Sequence, residues 1–279
     1  MSFINSSSEQ VPYLSQLTLA RVVGIPPTMD WPELLKTAES VAREAGQVLR
    51  EGAGNLRQVE FLDQRDVKLR ADVESEDLIR KRLLDATALP VYGEEMGGDA
   101  SLVEKDEPYW VVDPLDGTFN YLRGSALCAV SIGLMRGTEP ILGVIYDFNS
   151  DTCYSGHVDT GFFVNGKKTS PMWAEEIGQA ALTTGFPAGM NRSPERMQAF
   201  LDRIEPFKKV RMVGTAALAV AFVARGTYDV YYEEAIRLWD VAAGVALVKA
   251  AGGDVRMEPS EGGKPLAYDV WAGKGAFFG

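Results

Sequence analysis

Histidine is almost missing from this chain of 279 residues, with His157 the single example. A Ser-His-Asp triad would have to be built on it, and no G-x-S-x-G elbow supplies the serine. A zinc centre with several histidine ligands is excluded. Cysteine is scarce too: Cys128 and Cys153 stand without any C-x-x-C spacing. Two free thiols in a reducing cytoplasm are the favoured reading over a disulfide. Positive charge is in deficit, 28 Lys and Arg against 39 Asp and Glu, for a net charge of −11. That balance opposes direct nucleic-acid binding, which needs cations to neutralise phosphates. No apolar run reaches the ~18 residues of a membrane-spanning helix. Residues 1–28 lack the basic start and apolar block of a secretory signal, and their Ser-Ser-Ser-Glu-Gln stretch reads as a flexible N-terminal extension. With imidazole so rare, acid–base work falls to carboxylates, hydroxyls and water. His157 itself reads as a surface or turn residue between strands.

What is present is a globular composition, 46% hydrophobic and 24% charged, long enough to bury a full core. Asp30-Trp31-Pro32-Glu33 has the form of a helix start. Apolar residues from Leu34 to Leu49 then follow helical spacing, with Gly52 as the expected stop. A second helix is expected over 73–87, with Leu78, Ile79, Leu83 and Leu84 on one side and Asp72 at its start. From 109 to 168 the pattern becomes that of strands: 110–112, 129–134, 141–146, then a short pair near 152–155 and 161–164, forming an antiparallel meander. Beyond Pro171, strands at 181–185 and 228–232 alternate with helices at 194–204, 215–224 and 240–251, which suggests an α/β layer. The chain therefore divides into an N-terminal α+β subdomain over 29–172, with an antiparallel sheet, and a C-terminal α/β subdomain over 173–279.

The densest chemical information lies in Tyr109–Tyr121. A short apolar run, Trp110-Val111-Val112, ends in Asp113-Pro114-Leu115-Asp116-Gly117-Thr118. Two carboxylates three residues apart at a strand end can aim at one point, and hard cations such as Mg²⁺ take oxygen ligands of this kind. Exposed amides after Gly117 suit an anion beside the metal. Further carboxylates stand in Gly93-Glu94-Glu95, at Asp240 and at Asp72. Taken singly, each has an ordinary explanation. A Glu-Glu pair is usually solvated surface, and an Asp before an apolar helix is usually an N-cap. Gly161–Lys168 mimics a phosphate loop but carries Lys168 where Ser or Thr is needed.

Taken together, Gly93-Glu94-Glu95, Asp113-Pro-Leu-Asp116-Gly-Thr118 and Trp239-Asp240-Val-Ala-Ala-Gly244 resemble the inositol monophosphatase family in order and spacing, over about residues 30–279. Val213–Ala217 and Tyr231-Tyr232-Glu233 resemble family segments as well. The resemblance implies a layered α-β-α-β-α sandwich with a metal site between two halves. It implies hydrolysis of small phosphate monoesters by metal-activated water, inositol monophosphates first. Fructose 1,6-bisphosphate and 3′-phosphoadenosine phosphates are the alternative substrates. Two to three Mg²⁺ ions are implied, with Mn²⁺ as a substitute and Li⁺ or Ca²⁺ as inhibitors.

In that scheme Glu94, Asp113 and the Leu115 carbonyl hold the first ion, and Asp113, Asp116 and Asp240 the second. Glu95 supports a third, weaker site. Thr118 orients the attacking water, Glu94 receives its proton and Asp72 holds the Thr118 hydroxyl. Substrate contacts fall to Asp116, Gly117, Thr118, Gly214, Thr215, Ala216, Glu233 and Asp240, and sugar selectivity also to the loop at 185–193. Family likeness further implies a homodimer, and the free thiols with no signal or membrane span make the cytoplasm the expected location. A reading of another class is a non-catalytic protein-interaction role on the same scaffold, since some such proteins serve in bacterial transcription complexes.

Overall fold

The structure is a computed structural model that describes residues 30–56, 59–62, 67–186, 192–261 and 264–279. The expected N-terminal extension, and most of the expected selectivity loop, lie outside these residues.

The first layer is a helix pair, α1 (Trp31–Leu56) and α2 (Arg70–Thr87), joined through a small antiparallel ribbon of β1 (Val59–Leu62) and β2 (Val67–Leu69). Helix α1 does not stop at Gly52. A helical glycine costs only about 1 kcal/mol relative to alanine, and no left-handed turn forms there. Helix α2 begins at Arg70, so Asp72 sits inside its first turn rather than ahead of it. Leu84, expected on its buried side, is 55% exposed; the inward stripe is Asp72, Ser75, Glu76, Ile79 and Leu83.

These helices cover one face of a seven-stranded sheet made of β3 (Val91–Gly93), β4 (Pro108–Asp116), β5 (Ala129–Arg136), β6 (Glu139–Asp147), β7 (Thr152–His157), β8 (Gly161–Val164) and β9 (Lys167–Lys168), with the short helix α3 (Thr118–Leu122) after β4. The strands are sheet neighbours in chain order, and every pair is antiparallel except β3 with β4. Strand β4 runs on through Pro114. Pairing with β3 ends at Gly93 opposite Val112, so the missing proline N–H costs no ladder bond on that side. His157 is buried, only 2% exposed, and stacks on the Trp31 ring at 4.9 Å between centroids. It is a packing residue beneath α1, not a surface one, and its carbonyl closes the expected turn between strands, accepting from the Thr160 N–H (3.0 Å).

After β10 (Ala181–Thr184), α4 (Pro194–Ile204) and β11 (Lys209–Arg211) come α5 (Ala216–Arg225), β12 (Val230–Arg237), α6 (Leu238–Ala250), β13 (Asp254–Pro259) and β14 (Ala267–Gly273). Helices α5 and α6 pack on the opposite face of the first sheet and also meet the second, five-stranded sheet, ordered β11-β10-β12-β14-β13. Helix α4 supplies Phe200 to a third cluster with Tyr232 and Trp271 beyond it. This gives the α-β-α-β-α sandwich.

Burial between two sheets explains why α5 and α6 are apolar nearly all round. Close approach is built in. Gly133, Gly143 and Gly156 stand opposite one another across β5, β6 and β7. A Cβ on Gly133 would lie 2.9 Å from the Ala243 amide nitrogen, and one on Gly143 would overlap the Ala243 backbone. The glycine row is the seat of α6. Among the described residues no helix is long and apolar enough to cross a membrane.

Candidate metal centre and active site

Four elements converge at the ends of β3 and β4. Glu94 follows β3, and its N–H donates to the Val112 carbonyl (3.1 Å), which seats it beside Asp113. Asp113 is 1% exposed, and its Oδ1 accepts from the Leu115 N–H (3.0 Å). A register shift between Asp113 and Asp116 breaks the β4–β5 ladder there. Gly117 then turns the chain at φ +87, where any Cβ would press on the Leu127 carbonyl at 2.8 Å.

Asp72 and Asp240 hold equivalent places on two helices. Each is the third residue of its helix and accepts from the backbone N–H just ahead of it, Leu69 for Asp72 (2.6 Å) and Arg237 for Asp240 (3.2 Å). Capping and site-building thus fall to one side chain. Asp72 also accepts from the Thr118 hydroxyl (3.0 Å), which lies 3.1 Å from the Leu115 carbonyl as well.

Carboxylate oxygens of Glu94, Asp113 and Asp240 all lie within 4.8 Å of one another. Carboxyl groups this close and this buried repel one another unless a proton or a cation lies among them. Burial first, then mutual repulsion, pushes Glu94 and Asp113 well above the usual carboxylate range. Burial likewise raises Asp240 to about 8, Asp72 to about 7 and Asp116 to about 6. A buried all-oxygen cluster with this much uncompensated charge fits a hard divalent cation, which would replace the protons.

The remaining expected residues are placed as follows. Asp116 accepts from the Thr215 hydroxyl and from the Ala217 N–H (2.7 Å), so it is fastened to the start of α5. Gly214 precedes that start, and its carbonyl accepts from the Asn120 side chain (3.2 Å). Glu95 is ion-paired with Lys68, and its charge is felt by Glu94 and Asp72. Glu233 on β12 is buried, and burial raises its carboxyl well above the usual range. A side chain at Gly185 would collide with it. Tyr231, two residues earlier, carries a buried hydroxyl with no partner among the described residues.

Two residues that sequence reasoning missed are Ser75, whose hydroxyl donates to the Pro114 carbonyl (3.2 Å), and Glu76, which is fully buried. Their helical spacing from Asp72, at i+3 and i+4, was the available signal.

A layered sandwich with carboxylates gathered at strand ends and helix starts is the framework of a metal-dependent phosphohydrolase. The profile of the inositol monophosphatase family matches residues 30–274, and the chain belongs to that family, whose members are phosphoric monoester hydrolases. It is 35% identical to the fructose-1,6-bisphosphatase/inositol-1-monophosphatase of Aquifex aeolicus, over 78% of this chain and 83% of that protein. It is also 35% identical to the Nus factor SuhB of Xylella fastidiosa, over 77% of this chain and 78% of that one. The solved inositol monophosphatase of Anabaena (Nostoc) sp. PCC 7120 superposes with a TM-score of 0.75 at 29% identity, covering 89% of this chain and 94% of its own.

The raised carboxyls carry a stability consequence. Between their ordinary value of 3.8 and about 8, the folded metal-free protein binds more protons than the unfolded chain. Its stability therefore falls as pH rises through that window. Each raised unit is worth about 1.4 kcal/mol. Thermal denaturation in EDTA should show Tm dropping from pH 5 to pH 8, and Mg²⁺ should restore most of the loss at pH 8. A flat profile in EDTA would show the cluster to be uncoupled from folding.

Proposed function

We propose that this protein hydrolyses small phosphate monoesters, inositol monophosphates before others, with two to three Mg²⁺ ions. The observation that carries the reading is the convergence of Glu94, Asp113 and Asp240 beside the hydrogen-bonded Thr118–Asp72 pair. Glu94, Asp113 and the Leu115 carbonyl would hold one ion; Asp113, Asp116 and Asp240 would hold a second; Glu95 would support a third and weaker one. Bound there, Mg²⁺ lowers the pKa of water and neutralises the phosphate.

The protein's own groups do the rest. The Thr118 hydroxyl gives its hydrogen to Asp72, which leaves its lone pairs to accept from the attacking water. Glu94 takes that water's proton. The amides of Gly117 and Thr118 bind phosphate oxygens. Asp116 and Asp240, with the Gly214-Thr215-Ala216 segment, line the substrate side. Glu233 accepts from hydroxyls of the leaving alcohol. The family likeness supports direct attack by water, with no covalent phosphoenzyme. The two buried free thiols fit a reducing cytoplasm, and a homodimer is the assembly consistent with the family.

Phosphate release from inositol 1-phosphate, fructose 1,6-bisphosphate, 3′-phosphoadenosine 5′-phosphate and histidinol phosphate tests this directly. Release should need Mg²⁺, stop with EDTA and weaken with Li⁺, inositol 1-phosphate leading. A lead by fructose 1,6-bisphosphate would move the substrate assignment to the second name carried by the Aquifex relative. No release by a folded, metal-loaded protein would favour the protein-interaction role, which the likeness to the Nus factor supports.

A further inference from the structure

The turn that carries Glu94 and Glu95 is not held by its own strand alone. On α2, one turn beyond Asp72, the fully buried Glu76 accepts from two consecutive backbone amides of that turn: Oε2 from the Glu95 N–H (2.7 Å) and Oε1 from the Met96 N–H (3.0 Å). Arg80, four residues on, closes the arrangement. Its Nε donates to Glu76 Oε1 (2.7 Å), its Nη1 to the Val91 carbonyl (3.0 Å) and its Nη2 to the Gly97 carbonyl. The turn is thus gripped at both ends, at Val91 before it and at Gly97 after it. Gly93 completes the fit, because a Cβ there would fall on the Glu76 carboxylate, 2.4 Å from its Cδ. The same face of α2 holds the other acidic turn, through Ser75 to Pro114 and Asp72 to Thr118.

We propose that Glu76, buttressed by Arg80, is a positioning residue for the metal centre: it fixes the Gly93–Met96 turn and so sets where the Glu94 carboxylate stands relative to Asp113. This rests on the metal-dependent reading given above. A buried carboxylate is costly unless fully paired, and this one spends its hydrogen-bonding capacity on backbone amides and one guanidinium rather than on the cation. Outer residues that orient ligands typically change metal affinity ten- to a hundred-fold when altered, roughly.

The test is Glu76→Gln, which keeps the size but turns one acceptor oxygen into a donor facing donors. Gly93→Ala, which pushes the same carboxylate from the opposite side, is the companion. Titration calorimetry with Mg²⁺ alone, and then Mn²⁺ alone, reads affinity without substrate. Both variants should bind at least about tenfold more weakly than wild type. The Mg²⁺ concentration for half-maximal phosphate release should rise in parallel, with KM for substrate nearly unchanged. Arg82→Gln removes the exposed ion pair with Glu44 on the same helix and should leave metal affinity unaltered. Should Glu76→Gln fail to fold, Gly93→Ala alone decides. Wild-type metal affinity in a folded variant, even one of lowered Tm, would overturn the proposal and leave Glu76 a purely structural pair. A wild-type protein that binds no divalent ion would instead overturn the metal reading itself.

Discussion

Asp113→Asn is expected to abolish turnover while leaving the metal-free fold intact or firmer. Asp113 is the buried member of the three-carboxylate group, and in the proposed scheme it would touch two ions. Its loss should cost more than the hundred-fold typical of an outer residue, and a fall in kcat of at least ~10³, or about 4 kcal/mol, is anticipated. The isosteric amide keeps an oxygen to accept from the Leu115 N–H. It also removes one of the charges that repel in the cluster. At pH 8 in EDTA the variant should therefore melt no lower than wild type, and the gain in Tm on adding Mg²⁺ should shrink or vanish. Near-normal turnover would sink the two-ion assignment. Loss of turnover together with a collapsed metal-free fold would make Asp113 structural.

Thr118→Ala should be the next most damaging change, and it should strike a different parameter. The hydroxyl donates to Asp72, lies 3.1 Å from the Leu115 carbonyl and supplies no charge to the cation. Its removal leaves the attacking water without its orienting acceptor, and misplacement of a reacting group by about 1 Å can cost ~10²-fold. The expected pattern is a kcat lowered by about that factor, with KM and the Mg²⁺ requirement close to wild type. A raised KM at unchanged kcat would make Thr118 a binding residue instead.

Much of this was legible in the residues themselves. The strands at 129–134 and 141–146 announce themselves by apolar runs, and Pro194 and Gly226 mark real helix ends. The acidic motifs could be read as a set only through their resemblance to one family, because singly each has an ordinary explanation as a turn, a cap or solvated surface. Other parts were hidden for identifiable reasons. Glu76 looks like any solvated helical glutamate until the turn it grips is placed beside it. His157 does stand at a turn between strands, but its burial is hidden from the sequence: a neutral imidazole stacks on Trp31 as readily as a hydrocarbon does, and burial lowers its pKa. Gly52 was overvalued, since glycine permits a stop without requiring one. Asp116 illustrates a last kind of gap: its motif marks it as a ligand, but only the fold reveals Thr215 and Ala217 already bonded to it.

The glycine row beneath α6 has an implication for how such a centre can be retuned. Asp240 rides at the front of that helix, and Asp113 belongs to the sheet on which the helix is seated. The gap between the two carboxylates is therefore governed by packing depth as well as by ligand choice. Close-packed interiors transmit small displacements, so lifting α6 with a methyl at Gly133 or Gly143 would widen the centre with every ligand still in place. A protein engineer aiming at a larger cation has a handle there that leaves the acidic motifs untouched, and neutral drift in the core has the same handle on ion preference.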